Sequence, residues 1–464
     1  MSRRALAKLR YSQYSRLLAV AVGACLVPGA GLCADKPAEA RVVVIESPGA
    51  CRAPVRQPAY FQPQPDAVRA MLEEGLRRWT GADTAAAAWR RLVSTNELIG
   101  IKVASEAGPI MGTRPAVLRE VLRGLMDAGV PAQNLIVWDR HEDSLHAGGY
   151  VQLARDLGVG VESAARAGYE GQLFHEEAVV GPLERGDLEF GNLEFSRHSH
   201  ATRLVTRRFS KIIQISPLLQ HPVLGVEGNL YGLAMGAADN TRRFHGLRPF
   251  LQSAVPSLYQ MAAHRGVVTD MGFDTLLARA RQGDAQSLQG LVPPGVTPQH
   301  LFFYERQDAQ HPVPALAALR AAQADSVKPP PGPARVIITN PAATQTWEQT
   351  IHPGGLVEYT ASSSRVCLHI VDALLCQFVG GPELRLQYST VLDQLRLGID
   401  PVALDVLSLA DIERQSLAAR LRAPPEGMAL LRHAALLGAG VAEERHIRVE
   451  RHGVPVRGRA APRE

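Results

Sequence analysis

Short hydrophobic runs alternate along the chain with longer segments in which apolar residues recur at helical spacing. The runs Arg41–Ile45 and Leu98–Val103 are rich in β-branched residues and therefore predict buried strands. Between them, the apolar positions from Val68 to Trp79 predict a helix, with Asp66 as its N-cap and Gly81 as its stop. Such alternation of strands and helices is typical of an α/β protein with a parallel sheet.

Residues 98–141 predict one complete strand–helix–strand unit. The strand Leu98–Val103 leads through a loop of small residues to Thr113-Arg114-Pro115, which suits a helix start because proline and a capping hydroxyl are favoured there. The next strand, Leu135–Trp138, ends in Asp139-Arg140-His141. A unit of this kind gives two parallel strands joined by a right-handed crossover.

Later segments extend the same architecture. The β-branched runs Lys211–Ile215 and Val366–Val371 predict strands of a sheet that is covered on both faces. We therefore expect a three-layer α/β fold with a mostly parallel sheet and helices on both faces, built by one elaborated domain over residues 41–422. Within this domain, residues 276–333 predict a helical insertion with a proline-rich linker. After the domain, residues 452–464 predict a disordered tail.

The first 34 residues have the layout of a secretory signal peptide. A basic stretch ends at Arg16, the apolar run Leu17–Val27 follows, and small residues continue to Ala34. We expect export to the periplasm or cell envelope, by the general secretory route, by a twin-arginine route, or as a lipoprotein acylated on Cys25. No later stretch is long and apolar enough to predict a transmembrane segment.

Charge becomes balanced once the signal segment is set aside. The whole chain has 50 Lys and Arg against 45 Asp and Glu, and five of the basic residues but none of the acidic ones lie in residues 1–34. The remaining chain is formally neutral, so net charge gives no reason to expect a nucleic-acid partner. A hydrophobic fraction of 46% with 20% charged residues is that of an ordinary globular protein with a large core.

Five cysteines give little support to a metal cluster. Two belong to the signal segment, and no two cysteines have the CxxC spacing, so we expect neither an iron–sulfur cluster nor a cysteine-rich zinc site. Cys367 and Cys376 could form a disulfide in an oxidising compartment, or each could be a small buried hydrophobic residue. The pattern leaves both interpretations open.

Candidate functional residues lie where the predicted strands end. Ligands of open parallel sheets bind beyond the carboxyl ends of the strands, where Lys102, Asp139 and Asp372 are expected. The amino end of the predicted Pro115 helix faces the same edge, with Thr113 and Arg114 as side-chain donors. This arrangement predicts a pocket for a small carboxylate or phosphate. A structural ion pair between Lys102 and Asp139 is the alternative.

Further candidates come from glycine-rich and capping segments. Asn229, Asn240 and Arg242 follow the strand Lys211–Ile215 and are expected to contribute to the same anion pocket. Asp400 precedes Pro401 at the start of a helix predicted over 401–422, where a capping role accounts for it, and it is also a candidate ligand-binding residue.

Acid–base chemistry would then fall to Asp139 or His141. A divalent cation held by Asp139, Asp372 and Asp400 is a weaker alternative, so we predict no cofactor.

Several motifs taken together resemble one known family. They are Ile99–Val103, Gly112–Pro115, Asp127–Pro131, Val137–His141, Gly228–Asn240, Val371–Ala373, Gly380–Pro382 and Asp400–Asp405. This set is similar to the domain of unknown function 362 (DUF 362) family over most of the predicted domain. The resemblance implies an α/β fold without a settled activity. Many members carry ferredoxin-type cysteine clusters, which this sequence lacks, so electron transfer is not implied here.

Two classes of function fit these observations. One is an enzyme that acts on a small anionic substrate by acid–base chemistry. The other is an exported binding or accessory protein that uses the same pocket without turnover. Because a binding pocket and an active site use the same residue types, the sequence leaves both open.

Overall fold

Strands from both ends of the chain meet in one nine-stranded mixed sheet in the computed structural model. The structure describes residues 39–52, 62–176, 198–244, 248–263, 364–421, 427–436 and 439–455. Its strands are β1 (Ala40–Glu46), β2 (Cys51–Arg52), β3 (Gln62–Pro63), β4 (Ile99–Val103), β5 (Leu135–Asp139), β6 (Gly160–Ser163), β7 (Tyr169–Glu176), β8 (His198–Thr202), β9 (Lys211–His221), β10 (Gly225–Glu227), β11 (Val366–Gln377), β12 (Ser389–Gly398) and β13 (Ile447–Gly453).

Helices connect these strands and cover the sheet. They are α1 (Pro65–Thr80), α2 (Ala85–Leu92), α3 (Gly108–Met111), α4 (Pro115–Asp127), α5 (Glu142–Ala147), α6 (Tyr150–Leu157), α7 (Ala164–Ala167), α8 (Asn229–Ala237), α9 (Arg248–Ala263), α10 (Pro401–Ala418) and α11 (Gly427–Leu436). Proline begins α4 and α10 at a position where its missing N–H costs no helical hydrogen bond.

The strand order is β13–β1–β12–β11–β9–β4–β5–β6, with β10 paired to the end of β9. The five strands from β11 to β6 are parallel neighbours, and Ile101 of β4 lies opposite Val137 of β5 and Ile213 of β9. Strand β12 is antiparallel to both β11 and β1, and β13 is parallel to β1. The carboxyl ends of β4, β5, β9 and β11 therefore point the same way, which is the geometry that the candidate site needs.

Two hydrophobic layers enclose the sheet. Alternate residues of each strand point to opposite faces, so Val137 joins one layer and Trp138 joins the other. Helices α1, α2, α4 and α6 pack on the first face, and helices α8 to α11 pack on the second. The predicted three-layer α/β fold, with a mostly parallel sheet and helices on both faces, is confirmed.

The C-terminal boundary of the domain was predicted wrongly. Strand β13 runs to Gly453 and pairs in parallel with β1, so the predicted tail cannot begin at residue 452, and the domain extends beyond residue 422. β13 is an edge strand with charged residues in alternation, and a short strand of that composition gives a weak hydrophobic signal. One of those charges pairs across the strands, because Arg41 Nη2 lies 2.7 Å from Glu450 Oε2.

The structure also excludes a disulfide between Cys367 and Cys376. Both residues lie on β11, and nine positions along a strand span roughly 30 Å, far beyond the reach of a disulfide. Both are free thiols, as is Cys51, and burial raises the pKa of Cys367 to about 12. The interpretation as small buried hydrophobic residues is the one that fits β11.

Smaller differences concern the ends of elements. Gln64, not Asp66, is the N-cap of α1, with Pro65 and Asp66 inside its first turn, and α10 ends at Ala418. The described residues, which begin at Glu39, form one compact unit. The predicted signal with Cys25 and the insertion 276–333 lie outside the described residues. Among the helices that the structure describes, none is long and apolar enough to cross a membrane.

Candidate functional site

Lys102 and Asp139 form a buried ion pair at the carboxyl ends of β4 and β5. Because these strands are adjacent, Lys102 Nζ lies 2.7 Å from Asp139 Oδ1, and only 3% of the lysine side chain is exposed. Asp139 Oδ2 also accepts hydrogen bonds from the backbone N–H and the hydroxyl of Ser105, both at 2.7 Å. Burial opposes ionisation of Asp139, but Lys102 and Ser105 outweigh it and lower its pKa below the ordinary value.

Helix α8 closes over this pair without a side chain in the way. A Cβ atom built on Gly236 would lie 2.1 Å from Lys102 Cε and 3.2 Å from Asp139 Oδ1. The helix therefore approaches the pair at a distance that only glycine allows. Lys102 Nζ also donates to the carbonyl oxygen of Val103 at 2.7 Å, so its ammonium has both a charged and a neutral partner.

A second buried pair occupies the amino end of α4. Arg114 Nη1 lies 2.7 Å from Asp372 Oδ1, and the backbone N–H of Arg114 donates to Asp372 Oδ2 at 3.1 Å. The side chains are 3% and 0% exposed. The helix end that was expected to attract an external anion thus already faces a carboxylate from β11.

The Thr113 side chain hydrogen-bonds to backbone groups of two neighbouring segments. Its hydroxyl donates to the carbonyl oxygen of Ile215 at 2.5 Å and accepts the N–H of Ala104 at 2.9 Å. These bonds tie the start of α4 to β9 and to the loop after β4. Thr113 and Arg114 have the location that the sequence predicted, and the protein itself supplies partners for both.

The other predicted binding residues lie in separate places. Asn229 begins α8, where its backbone N–H and its Nδ2 each donate to Asp405 Oδ1 at 2.8 Å, and the N–H of Leu230 donates to Asp405 Oδ2 at 3.0 Å. Burial raises the pKa of Asp405 to about 6 against the lowering effect of these donors. Asp405 of α10 is therefore the cap of α8, which the sequence pattern did not reveal.

Asp400 is the N-cap of its own helix, as predicted. Its Oδ1 accepts the N–H of Ala403 at 2.8 Å, and its Oδ2 accepts the N–H of Val441 at 2.9 Å. Asn240 lies in the loop after α8 and donates from Nδ2 to the carbonyl oxygen of His198 at 2.9 Å. These contacts give each of the two side chains a structural role.

Glu227 is a buried carboxyl at this edge that the sequence analysis missed. It ends β10, which pairs antiparallel with the last residues of β9 and returns the chain toward Lys102. Glu227, Lys102, Gln214 and Ser216 line a cavity of about 10 Å³, which is space for one water molecule at most. Burial, and then the charge of Glu106, raise the pKa of Glu227 to about 8.

Arg140 and Arg242, which we call the rim of this edge, have no carboxylate partner among the described residues. Arg140 donates to the hydroxyl groups of Thr241 and Tyr169, which are both neutral. In the part of the chain that the structure describes, neither Arg140 nor Arg242 forms a salt bridge, and Arg242 is exposed. Partial burial, and then Arg140, lower the pKa of His141, Glu106 and Asp139 oppose that shift, and Arg242 adds a smaller lowering, so these groups share one electrostatic environment.

The chain matches no protein-family model and no curated protein. Among solved structures, it aligns with a protein from Thermotoga maritima determined by a structural genomics consortium, at 9% sequence identity and a TM-score of 0.28. The alignment covers 76% of this chain and 60% of that one. A likeness this distant carries no argument about function, so the site has to be interpreted from its own geometry.

Histidines and carboxylates do not form a metal site among the described residues. No group of three or more His, Cys, Asp or Glu side chains there is arranged to hold a metal ion. Asp139 and Asp372 each face a cation, and Asp400 caps α10. The cation site proposed for these three carboxylates is therefore not formed.

Proposed function

We propose that this chain is an exported α/β protein that binds a small anionic molecule at the carboxyl edge of the central strands and performs acid–base chemistry on it. The observation that carries the proposal is that two guanidinium groups with no salt bridge among the described residues, Arg140 and Arg242, lie at one edge with a buried carboxyl of raised pKa, Glu227. Titratable groups perturbed in this way concentrate at functional sites.

The anion in this proposal binds to the rim and not to the buried lysine. Lys102 and Arg114 are each neutralised by a carboxylate at 2.7 Å, so an additional anion beside them would meet no net positive charge from these pairs. Arginine side chains, by contrast, present planar pairs of N–H donors that match a carboxylate or a phosphate. Of the residues predicted from sequence, Arg242 keeps its assignment, and Arg140 replaces Lys102 and Arg114.

Removal of the two rim arginines is expected to abolish most of the anion binding. We expect Arg140→Ala/Arg242→Ala to weaken binding of inorganic phosphate or succinate at least tenfold, which corresponds to about 1.4 kcal/mol, measured by isothermal titration calorimetry. Arg91→Ala is a matched control, because Arg91 is an exposed arginine of α2 whose Nη1 donates only to the Thr80 carbonyl. Equal affinity in the double variant and the wild type would contradict the proposal.

Catalysis distinguishes the enzyme from a binding protein that uses the same rim. Native mass spectrometry of the protein purified from the exporting cell would identify a bound small anion. Conversion of that anion by the wild type, with loss in the double arginine variant, supports the enzyme. Tight binding without conversion supports the second candidate, an accessory binding protein, which the full neutralisation of Lys102 and Asp139 favours.

Export is the second part of the proposal and has its own test. We expect a reporter fused to the C-terminus of the full chain to be translocated, and the same fusion without residues 1–34 to remain in the cytoplasm. The mass of the mature N-terminus separates the three routes, because an acylated Cys25 adds lipid mass and Arg3→Lys/Arg4→Lys blocks only the twin-arginine route. Cytoplasmic retention of the full-length fusion would refute export.

The resemblance to the DUF 362 family, on the motifs given above, belongs to the same proposal. It adds no activity of its own. It is consistent with an α/β domain in which the loops at the carboxyl edge carry the function.

A further inference from the structure

We infer that Glu227 is the proton-exchanging residue of this site, and that its carboxyl acts on a group of the substrate that enters the cavity beside Lys102. The inference rests on the proposed function and assigns its chemistry to one residue. Neither the sequence motifs nor the family resemblance assigns Glu227 a role.

The chain reversal between β9 and β10 places the carboxyl there. Strand β9 continues past the edge of β4, where Val103 pairs with Ile215, and runs on to His221. Strand β10 then returns antiparallel, with Glu227 opposite Leu219. Strand β10 is buried, and its return places the Glu227 carboxyl near the carboxyl ends of the parallel strands.

Gln214, which lines the cavity beside Glu227, has an unsatisfied acceptor. Gln214 Nε2 donates to Ser216 Oγ at 3.0 Å and to the carbonyl oxygen of Asn229 at 2.9 Å. Its Oε1 has no partner among the described residues, although Gln214 is only 1% exposed. A buried acceptor without a donor is costly, so a hydroxyl group or a water in this cavity would satisfy it. The volume admits one such group, not a whole substrate.

Asp139 is a poor candidate for the same role. Its two oxygens already accept from Lys102, from Ser105 and from the backbone N–H of Arg140 at 2.7 Å, and its pKa is low. A carboxylate that is stabilised so strongly is a weak base and has no free lone pair aimed at a ligand. His141 is exposed and lies outside the residues that line the cavity.

The charges around Glu227 keep both of its protonation states accessible near neutral pH. Burial raises its pKa most, Glu106 in the loop after β4 and Asp139 on β5 raise it further, and Lys102 on β4 lowers it. Tyr231 on α8 faces the same group, and its own pKa is raised by burial and then by Glu227. A resulting pKa of about 8 suits a general acid–base residue at ordinary pH.

The step itself is a reversible proton transfer. The Glu227 carboxylate takes a proton from a weakly acidic O–H or C–H group of the substrate, and the electron pair of that bond stays on the substrate. The negative charge thus moves from Glu227 to the substrate, so the net charge at the cavity, which Lys102 also lines, does not change. The neutral carboxyl then returns the proton, so no oxidant or covalent intermediate is needed. The substrate class is a small molecule with one anionic group for the rim and one weakly acidic group for the cavity.

The titration of Glu227 can be measured without any knowledge of the reaction. We expect carbon-13 NMR of the intact mature protein to show one glutamate carboxyl that titrates near pH 8, absent in Glu227→Gln and shifted to lower pH in Glu106→Gln. The folded protein then holds this proton more tightly than the unfolded chain, so the thermal midpoint falls as pH rises from about 5 to 8. Glu227→Gln is expected to remove that fall.

Proton uptake on ligand binding completes the test. With succinate or inorganic phosphate as the probe, calorimetry at pH 8 in buffers of different ionisation enthalpy should show fractional proton uptake by the wild type and none by Glu227→Gln. Binding without proton uptake overturns the inference and leaves the proposed function standing. A Glu227 carboxyl that titrates near its ordinary pKa also overturns the inference, whereas no binding of either probe by the wild type overturns the proposed function.

Discussion

Replacing Lys102 by methionine is expected to lower the free energy of unfolding by about 3–5 kcal/mol, because Asp139 then stays buried without its cation. The second change Asp139→Asn should recover more than half of this loss, since it removes the uncompensated charge. Chemical denaturation of the two single variants and the double variant measures both effects and their coupling.

An exposed ion pair provides the matched control for this cycle. Arg77 and Glu74 lie 2.9 Å apart on α1 with 48% and 19% of their side chains exposed, so Arg77→Met is expected to cost less than about 1 kcal/mol. A loss of similar size in Lys102→Met would show that the buried pair is structurally dispensable. It would then restore the interpretation in which Lys102 serves a ligand.

Removing the carboxylate of Asp405 is expected to destabilise the protein by on the order of 3 kcal/mol or more. Asp405→Ala leaves three buried donors of Asn229 and Leu230 without an acceptor at the amino end of α8. The alanine side chain cannot reach these donors. A Cβ atom built on the neighbouring Gly228 would lie 2.1 Å from Asp405 Oδ1, so the carboxylate packs directly against the backbone at this glycine. Equilibrium unfolding in denaturant measures this loss.

Asp400→Ala is the comparison that isolates the effect of linking two helices. Asp400 caps its own helix α10 and also accepts the N–H of Val441 in a loop, so we expect its loss to cost about 1–2 kcal/mol. A loss for Asp405→Ala no larger than that for Asp400→Ala would contradict the special role of Asp405. Since α8 carries Gly236 over the Lys102–Asp139 pair, we also expect Asp405→Ala to increase amide hydrogen exchange in α8 more than in α4.

Local patterns were sufficient to predict β1, β4, β5, β9 and β11 but not β10, β12 or β13. Runs such as Ile99–Val103 and Lys211–Ile215 are buried on both faces, and burial of that kind requires continuous hydrophobic sequence. Strand β13 is an edge with alternating charges, and β10 has three residues, so neither has a pattern of its own. Pro115 and Pro401 each predicted a helix start correctly, because proline fixes its own φ angle at a value that suits the first turn of a helix.

The candidate site was predictable only as a location. The topology rule brought Lys102 and Asp139 to one edge, and the structure places them in contact. The rule could not tell that Asp372 would neutralise Arg114, or that Asp405 would cap α8 across 176 residues of sequence. Glu227 was missed for a related reason, because its position depends on the reversal after β9 and not on any residue next to it.

The position of β1 in the sheet has a consequence for the timing of folding. This first strand pairs only with β12 and β13, and its contact between Arg41 and Glu450 closes a separation of 409 residues. Contacts of such high sequence separation form late, so Val43 and Ile45 lack strand partners until nearly the whole polypeptide has been synthesised. Strand β1 therefore cannot take its place in the sheet until β12 and β13 have both left the ribosome, and β13 is the strand that completes this side of the sheet.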